Sequence, residues 1–492
     1  MSETPIIAGF YPDPSICKRG DTYYIVNSSF EYLPGLPIHS STDLVSWRPV
    51  SNALTRVSQI AEHLGEASSA IYAPTIRYHD GHFWIVCTNI LTLSEGKGHF
   101  IIHAEDPAGP WSDPVNVPGV IGMDPDLMWD EKGVCHLTWA SFAPTLHGII
   151  SAPINPETGE FLEAPKQLWQ GTGMASGEGP HLYQKDGWWY VLLAEGGTER
   201  GHTATIARAR KLDGPFESAP NNPFLTHRSQ ASPVQNVGHA DLIELDDGSW
   251  VAVHLGVRPR GKTPRFHTNG RETFLVRINW EDGWPVVDEN EFKVSEADHS
   301  FIDNFDTDDL NMRWLGVGKF PRSFTFHEAG RGLVLRAPAS EESGPSLLAF
   351  RAQDQSWSAE IQVDASQGVG RWEIRLDEKH WYGLTVDRES VKAEINIGPI
   401  SKVVGTVVLT PDASPILRIR TVEPESNPYL RAEQPDLIYL EVEDESGFTS
   451  FGPFDGRYLS TEVATGFTGR VVGLEALSGE LAAKSVTYTS GV

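Results

Sequence analysis

The chain has 492 residues, of which 66 are acidic and 39 basic, and its formal net charge at pH 7 is −27. This length allows two or three domains, and a content of 40% hydrophobic and 21% charged residues is that of a folded globular protein. Because so negative a surface repels polyanions, nucleic acids and anionic membranes are excluded as main partners, whereas neutral and cationic ligands are not.

The N-terminal segment MSETPIIAGFYPDP has no basic region and no apolar run of the length that a secretion signal needs. The three cysteines, Cys17, Cys87 and Cys135, lack metal-ligand spacing, and so few cysteines suit a reducing compartment better than a disulfide framework. The uncharged stretch 134–156 contains histidines and prolines, so no membrane span is predicted. We therefore expect a cytoplasmic protein.

One sequence pattern occurs five times before residue 260, and each copy contains two apolar stretches separated by a short turn. The copies begin at Asp13, Ala73, Asp124, Gly179 and His239. The turns are predicted at Gly20-Asp21, Asp80-Gly81, Lys132-Gly133, Asp186-Gly187 and Asp247-Gly248. Asp-Gly between strand-like runs such as HFWIV and SWVAV is typical of two-residue hairpin turns, which need positive φ. Five hairpins are therefore predicted.

The remainder of each repeat is long enough for two more strands, so the pattern predicts a five-bladed β-propeller with four strands in each blade. An open all-β array or a sandwich would satisfy the same hairpins, although a solenoid normally has shorter repeats of steadier length. The strand-like segment 273–280 completes the fifth blade in this interpretation.

The repeat ends in a polar stretch at residues 289–300, and a different pattern follows. Alternating segments such as GLVLRAP, SAEIQVDA and LIYLEVE are typical of a β-sandwich. The sequence therefore predicts an all-β chain with a propeller at 1–296 and a C-terminal sandwich at 297–492.

The first strand of each propeller blade lines the central channel, so the residues that open the five repeats should meet at one end of it. These residues are Asp13, Ala73, Asp124, Glu178, which immediately precedes Gly179, and His239. The alternative for Asp13 and Asp124, each followed by proline, is that they cap a turn. Because several buried like charges repel each other, a cluster of three acids is more typical of a functional site.

Convergent carboxylates in a protein suited to neutral ligands favour glycoside hydrolysis. One carboxylic acid protonates the leaving oxygen, and a second carboxylate on the opposite face acts as base or nucleophile. A third charge close to the proton donor raises its pKa. Glu178, which lies between glycines in SGEGP, is the natural candidate for the acid because small neighbours allow close approach of a substrate.

The chain resembles glycoside hydrolase family 43, whose five-bladed propellers include β-xylosidases and α-L-arabinofuranosidases. The resemblance covers essentially the whole chain, is greatest for members with a concanavalin-like C-terminal sandwich, and rests on GFYPDPSI, YAPTIRYHDG, IGMDPDLMWD, ASGEGPHLY, NVGHADLIE and GRETF. It implies Asp13 as the general base, Glu178 as the general acid, and Asp124 as a third carboxylate that tunes Glu178 and orients the sugar. Asp126 is the rival of Asp124, because residues two apart in a strand face the same side. The family inverts configuration, so the resemblance implies that Asp13 and Glu178 stand about 6.5–9.5 Å apart.

The resemblance also implies residues that bind the sugar. Arg271 matches an arginine near the third acid, the alternative being a surface salt bridge, and Phe30 and Tyr72 match aromatic residues that pack on the terminal sugar. His239 is expected near the channel axis, the alternative being a core histidine. Some relatives hold a calcium ion there, which makes His239 a candidate calcium position, although no cofactor is expected to be required.

We therefore predict an inverting exo-glycosidase that removes terminal β-D-xylosyl or α-L-arabinofuranosyl units from xylan-derived oligosaccharides. Similar enzymes close the pocket with a loop of the sandwich, for which GRYLSTEVATGFTG, residues 456–469, is the candidate, and a homo-oligomer is a further expectation. One alternative is a glycan-binding propeller without catalysis. Another is a retaining fructan hydrolase, but Tyr11-Pro12 replaces the asparagine of that class and no Arg-Asp-Pro follows.

Overall fold

The computed structural model describes residues 3–340, 344–410, 414–425, 432–444 and 447–491. Five antiparallel sheets form a β-propeller, and a larger sheet assembly forms the C-terminal sandwich. The predicted fold class is therefore confirmed. Within the described residues, no helix combines the length and apolar character needed to cross a membrane.

The five blades follow one another along the chain, and the first strand of each blade begins at one of the predicted repeats. Blade one consists of β1 (Ser15–Arg19), β2 (Thr22–Val26), β4 (Gly35–Ser41) and β5 (Arg48–Leu54), and a short strand β3 (Tyr32–Leu33) precedes β4. Blade two consists of β6 (Thr75–His79), β7 (His82–Thr88), β8 (His99–Ala104) and β9 (Val115–Val117). Blade three consists of β10 (Gly122–Trp129), β11 (Cys135–Ser141), β12 (Gly148–Asn155), β13 (Glu160–Phe161) and β14 (Lys166–Trp169). Blade four consists of β15 (Glu178–Lys185), β16 (Trp188–Glu195), β17 (Thr203–Ala209) and β18 (Glu217–Ser218), and blade five of β19 (Gln235–Glu244), β20 (Trp250–Val257), β21 (Glu272–Glu281) and β22 (Trp284–Asp288).

Three of the five predicted hairpin turns have two residues, and two predictions are wrong. Asp80-Gly81 and Asp186-Gly187 have positive φ at both positions, whereas in Gly20-Asp21 only the glycine does. Lys132-Gly133 and Asp247-Gly248 instead lie in five-residue loops, 130–134 and 245–249. The reason is an aspartate in each loop, because Asp130 and Asp247 accept hydrogen bonds from backbone N–H groups two or four residues further on.

A hydrophobic cluster lies between each pair of neighbouring blades. Alternate residues of one strand pack against opposite neighbours, as β7 illustrates. Phe83, Ile85 and Cys87 pack against blade one, while Trp84 and Val86 pack against blade three. The ring closes between blades five and one, where the N-terminal Ile7 also pairs with Thr273 of β21.

The sandwich packs around one large core that includes Trp357 and Trp372. Its first strands are β23 (Phe301–Asp303), β24 (Leu315–Val317), β25 (Thr325–Glu328), β26 (Gly332–Arg336), β27 (Ser346–Arg351), β28 (Trp357–Asp377) and β29 (His380–Val386). The remaining strands are β30 (Ser390–Ile397), β31 (Ile400–Val408), β32 (Ile416–Val422), β33 (Leu437–Asp444), β34 (Gly447–Asp455) and β35 (Val471–Ser490). The helices are short: α1 (Pro321–Phe324), α2 (Thr461–Ala464), and 3-10 turns at Ile90–Glu95 and Gly456–Leu459.

The sandwich is continuous with blade one. Strand β3 pairs with β24, so Tyr32 and Leu33 extend the sheet of the sandwich. Phe10 and Phe30 share a buried cluster with Leu315 and other sandwich residues. The predicted domain boundary at 296/297 falls in the segment between β22 and β23, where the described chain forms no strand. This shared packing places a loop of the sandwich next to the propeller mouth.

Candidate active site

The residues that open the repeats lie at one end of the channel, in a backbone conformation that bends the strands there. Asp13, Asp124 and His239 have φ of 52°, 54° and 48°, in the left-handed region, and Gly179 has 54°. The ladders of blades three, four and five are irregular at the same level. Such local bends aim side chains toward a site and are typical of functional positions. Ala73, the opening residue of blade two, is buried and adds no polar group.

Asp13 is buried and held in its ionised form. Its carboxylate accepts hydrogen bonds from Arg271 Nη1 (2.8 Å) and Ser28 Oγ (2.5 Å), and His239 Nδ1 lies 3.7 Å away. Burial alone would raise the pKa of Asp13, but the charge of Arg271, the proximity of His239 and the hydrogen bond from Ser28 outweigh burial and lower the pKa. A base that stays ionised in this way can accept a proton from water.

The pKa values of Asp124 and Glu178 are raised, whereas the pKa of Asp13 is lowered. Burial, followed by the charge of Asp13, raises the pKa of Glu178 to about 7. Burial, followed by the charges of Glu178 and Asp13, also raises the pKa of Asp124, and its Oδ2 accepts a hydrogen bond from Gly179 N (3.1 Å). Because the two carboxyls interact strongly, they titrate as a pair. The pair therefore keeps a proton near neutral pH.

Arg271 is buried and pairs with Asp13, and its charge also acts on Asp124, whose pKa it lowers against the effect of burial. The guanidinium contacts both oxygens of Asp13, and Nη1 also donates to Thr198 Oγ1 (3.2 Å). The alternative of a surface salt bridge is wrong, because the Arg271 side chain is only 8% exposed.

Three aromatic rings line the side of the site that faces the sandwich. Phe30 and Tyr72 are in edge contact, with ring centroids 5.3 Å apart. Phe467 stacks on Phe30 at 5.9 Å and meets Tyr72 edge-on at 6.0 Å. Sequence reasoning did not single out Phe467, although it lies in the loop 456–469 that the resemblance selected.

The loop 456–469, which we call the strap, is fixed to the propeller at several points. Phe467 N donates to Ser68 Oγ (2.8 Å), and its carbonyl oxygen accepts from Arg271 Nε and Nη2 (3.4 Å each). Glu462 of α2 accepts from the backbone and the ring of His267 in the propeller. The strap therefore holds Phe467 against Arg271.

Asp126, the rival of Asp124, occupies a different place. It is fully buried and accepts hydrogen bonds from Arg77 Nη2 (2.7 Å) and Leu182 N (2.9 Å). The bulge between Met123 and Asp126 separates its surroundings from those of Asp124. Asp126 is therefore part of the channel packing below the mouth.

Arg77 joins all five blades at this lower level. Besides Asp126 of blade three, it contacts Asp241 of blade five (2.8 Å), Ser15 of blade one (3.2 Å) and His181 of blade four (3.1 Å). Asp241 in turn accepts from Ser15 Oγ, Ile16 N and Tyr183 OH. We call Arg77, Ser15, Asp126, His181, Tyr183 and Asp241 the channel hub. The channel hub is a layer of buried ion pairs and hydrogen bonds below the channel mouth.

His239 is buried between Asp13 and Gly179, where an added Cβ would lie 3.0 Å from the imidazole ring. The two carboxylates that act on it are already engaged, Asp13 by Arg271 and Asp241 by Arg77. Among the described residues, no group of three or more His, Cys, Asp and Glu side chains could hold a metal ion. The described side chains at this position do not by themselves supply the six to eight oxygen ligands that calcium takes, and no step of the proposed reaction uses a metal ion.

Comparisons with known proteins agree with the two-part fold. A family model described as glycosyl hydrolases family 43 matches residues 2–285, and a model described as the β-xylosidase C-terminal concanavalin A-like domain matches residues 302–488. A xylosidase/arabinosidase of Butyrivibrio fibrisolvens is 34% identical over 97% of this chain and 96% of its own length. A non-reducing end α-L-arabinofuranosidase of Bacteroides ovatus is 36% identical over 96% of this chain and 90% of its own. The solved structure of a xylan β-1,4-xylosidase from Bacillus halodurans is 29% identical, covers all of both chains and has a TM-score of 0.87.

Proposed function

The chain belongs to glycoside hydrolase family 43, and from this premise we propose that it is an inverting exo-glycosidase that removes terminal β-D-xylosyl or α-L-arabinofuranosyl units from xylan-derived oligosaccharides. The observation that carries the proposal is that carboxyl groups at one channel mouth have pKa values shifted in opposite directions. Asp13 is held ionised, while the pair of Asp124 and Glu178 keeps a proton. A proton donor and an ionised carboxylate are what glycoside hydrolysis needs, and the inverting outcome is proposed from the family.

In the proposed reaction, Glu178 gives its proton to the glycosidic oxygen as the bond to the leaving group breaks. Asp13 takes a proton from a water molecule, which attacks the anomeric carbon from the opposite face of the sugar ring. The products are the free sugar of inverted configuration and the shortened oligosaccharide. A pKa of about 7 lets Glu178 remain a donor near neutral pH.

Asp124 supports the donor in this proposal. The charge of Glu178 raises the pKa of Asp124, so the two carboxyls do not readily ionise together, and the N–H of Gly179 fixes one oxygen of Asp124 next to the acid. The second oxygen is then placed to accept a hydrogen bond from a sugar hydroxyl. Arg271 keeps Asp13 ionised and, through the Phe467 carbonyl, connects the base to the strap.

A closed pocket supports the exo mode of action. Tyr72 and Phe467 provide apolar faces on which the C–H face of a sugar can pack, and the fully buried ring of Phe30 supports both. Because the strap covers the side of the propeller mouth next to blade one, a single terminal unit fits this proposal better than the middle of a polymer. Xylose and arabinofuranose present similar hydroxyls, so the proposal includes both sugars as terminal units.

A glycan-binding propeller without catalysis is the second candidate. Binding alone gives no reason to bury three carboxylates together, since burial of like charges is costly. We also propose that the protein acts in the cytoplasm on imported fragments, which the three buried free cysteines support. A homo-oligomer remains a prediction.

Release of nitrophenol from nitrophenyl β-D-xyloside and nitrophenyl α-L-arabinofuranoside tests the proposed function. We expect turnover of at least one of the two, and the ratio of kcat/KM values identifies the preferred sugar. A folded sample that binds xylo-oligosaccharides but releases nitrophenol from neither substrate would favour the binding module.

A further inference from the structure

Glu195 is a buried acid close to the proposed proton donor, and the mechanism above gives it no role. It is the last residue of β16 and only 1% exposed. The preceding residue, Ala194, pairs directly with Glu178 across the ladder between β15 and β16. Glu195 therefore lies at the level of the channel mouth, next to the strand that carries the acid.

Neutral donors surround the carboxylate of Glu195. Thr172 N lies 3.0 Å from Oε1 and 3.2 Å from Oε2, and Thr172 Oγ1 donates to Oε2 at 3.0 Å. On the other side, Thr205 Oγ1 of β17 donates to Oε2 at 2.5 Å. Within the described part of the chain, no lysine, arginine or histidine nitrogen lies within 4 Å of this carboxylate. Burial of a carboxylate without a cation is costly, and here these four hydrogen bonds from Thr172 and Thr205 compensate it.

The partner of Glu195 is the loop that leads into Glu178. Residues 170–177 connect β14 to β15, form no regular secondary structure and are largely exposed. Gly171 packs so closely on the carboxylate that a Cβ there would lie 2.5 Å from Oε1, and its φ of +79° favours glycine. Further along, the Ala175 carbonyl accepts from Gly196 N (2.7 Å). The acid's loop is thus held at two points by the end of β16.

We infer that Glu195 is a positioning residue that holds loop 170–177 and thereby sets the place of the Glu178 carboxyl relative to the glycosidic oxygen. This inference rests on the proposed function, because it assumes that Glu178 donates the proton. A general acid must lie within hydrogen-bond reach of the atom that it protonates, so a small displacement of its loop weakens proton transfer.

The test uses the full chain and compares Glu195→Gln with the unchanged protein on two glycosides of the preferred sugar. The amide keeps the size of the side chain but replaces one acceptor oxygen by an NH2 group, which cannot accept a hydrogen bond from Thr172 N. We expect kcat on the methyl glycoside, whose leaving group needs protonation, to fall about 10- to 100-fold, and kcat on the dinitrophenyl glycoside to fall much less. The basic limb of the pH profile should also move to lower pH, because a displaced Glu178 is less buried and its raised pKa falls back.

Two further variants separate positioning from stability. Thr205→Val removes a hydrogen bond from the same carboxylate without touching the acid's loop, and it should lower the thermal midpoint while leaving the ratio of the two kcat values unchanged. Thr172→Val, at an exposed position, should change that ratio in the same direction as Glu195→Gln and keeps the test available if the glutamine variant does not fold. An unchanged ratio in both Glu195→Gln and Thr172→Val, or an equal change in Thr205→Val, overturns the inference. Glu178→Ala serves as the benchmark: if it lacks the leaving-group dependence, the acid assignment itself fails, whatever Glu195 does.

Discussion

Asp13, Asp124 and His239 line the channel mouth and have positive φ angles, which residues other than glycine usually avoid. Each costs on the order of 1–3 kcal/mol, and such strain persists only where the surroundings enforce it. Here the contacts of Asp13 with Arg271 and of Asp124 with Gly179 N provide that enforcement. These backbone bends direct the carboxyl groups of Asp13 and Asp124 into the channel mouth, where the proposed reaction needs them.

The three acids could be predicted from the sequence because they occupy equivalent places in repeated units. The partner of Arg271 could not, because the arginine follows the last repeat motif and its side chain spans to blade one. Phe467 could not be singled out either, since its contact with Phe30 joins residues more than 400 positions apart. Only the resemblance to similar enzymes marked the strap as a candidate loop.

The pairing of Arg271 with Asp13 makes a prediction about pH dependence. Asp13 acts as a base only when ionised, so activity is lost as the pH falls through its pKa, which Arg271 helps to keep below the ordinary value. Arg271→Gln should therefore raise the pKa of Asp13 and move the acidic limb of the kcat/KM profile to higher pH, besides lowering activity. The measurement is the pH profile of nitrophenyl glycoside hydrolysis.

Arg200→Gln is the matched control, because Arg200 lies near the same mouth but donates to the Pro264 carbonyl. Its acidic limb should stay in place. An acidic limb that does not move in Arg271→Gln would remove Asp13 from the role of base.

At the scale of elements, the sequence predicted hairpins better than loops. Asp80-Gly81 and Asp186-Gly187 form the expected turns, because strand twist and positive φ are local properties of those residues. Lys132-Gly133 and Asp247-Gly248 do not. In these two loops Asp130 and Asp247 accept hydrogen bonds from backbone N–H groups, and each loop has five residues. The strap belongs to this scale, since a loop of the sandwich completes a wall of the propeller site.

Phe467→Ala tests the strap as a wall of the pocket. Its hydrogen bonds to Ser68 and Arg271 use backbone atoms and are retained, so the change removes only the ring. We expect KM for the preferred glycoside to rise about 2- to 10-fold, the range of one aromatic contact, with a smaller change in kcat. Phe448→Ala, on β34, removes an aromatic ring that packs with Arg418 and should leave KM unchanged. A KM that responds equally to both changes would place the pocket elsewhere.

Two arrangements that follow from the five-fold repeat hold the propeller together: the apolar clusters between blades and the channel hub. Apolar residues alternate along each strand, so every blade contributes one face to each of two neighbours. The sequence predicted this ring because the alternation and the repeat length are both visible in it. The channel hub was not predicted, because Arg77 shows its ring of partners only when the blades close.

The channel hub carries a prediction about stability. Arg77→Met leaves Asp126 and Asp241 buried without their cation, so the free energy of unfolding should fall by about 3–5 kcal/mol. Arg322→Met is the control, because Arg322 and Asp309 are 74% and 85% exposed and such a pair contributes about 1 kcal/mol or less. Chemical denaturation of both variants provides the measurement. Equal losses in the two would show that the hub contributes no more than a surface pair.

The stereochemistry of the first-formed product tests the central claim most directly. If Asp13 activates water opposite Glu178, proton NMR recorded during hydrolysis of a β-xyloside should show α-xylose first and β-xylose only later, as the sugar mutarotates. Initial appearance of β-xylose would mean retention through a covalent intermediate, and the account of one base and one acid at this channel mouth would be wrong.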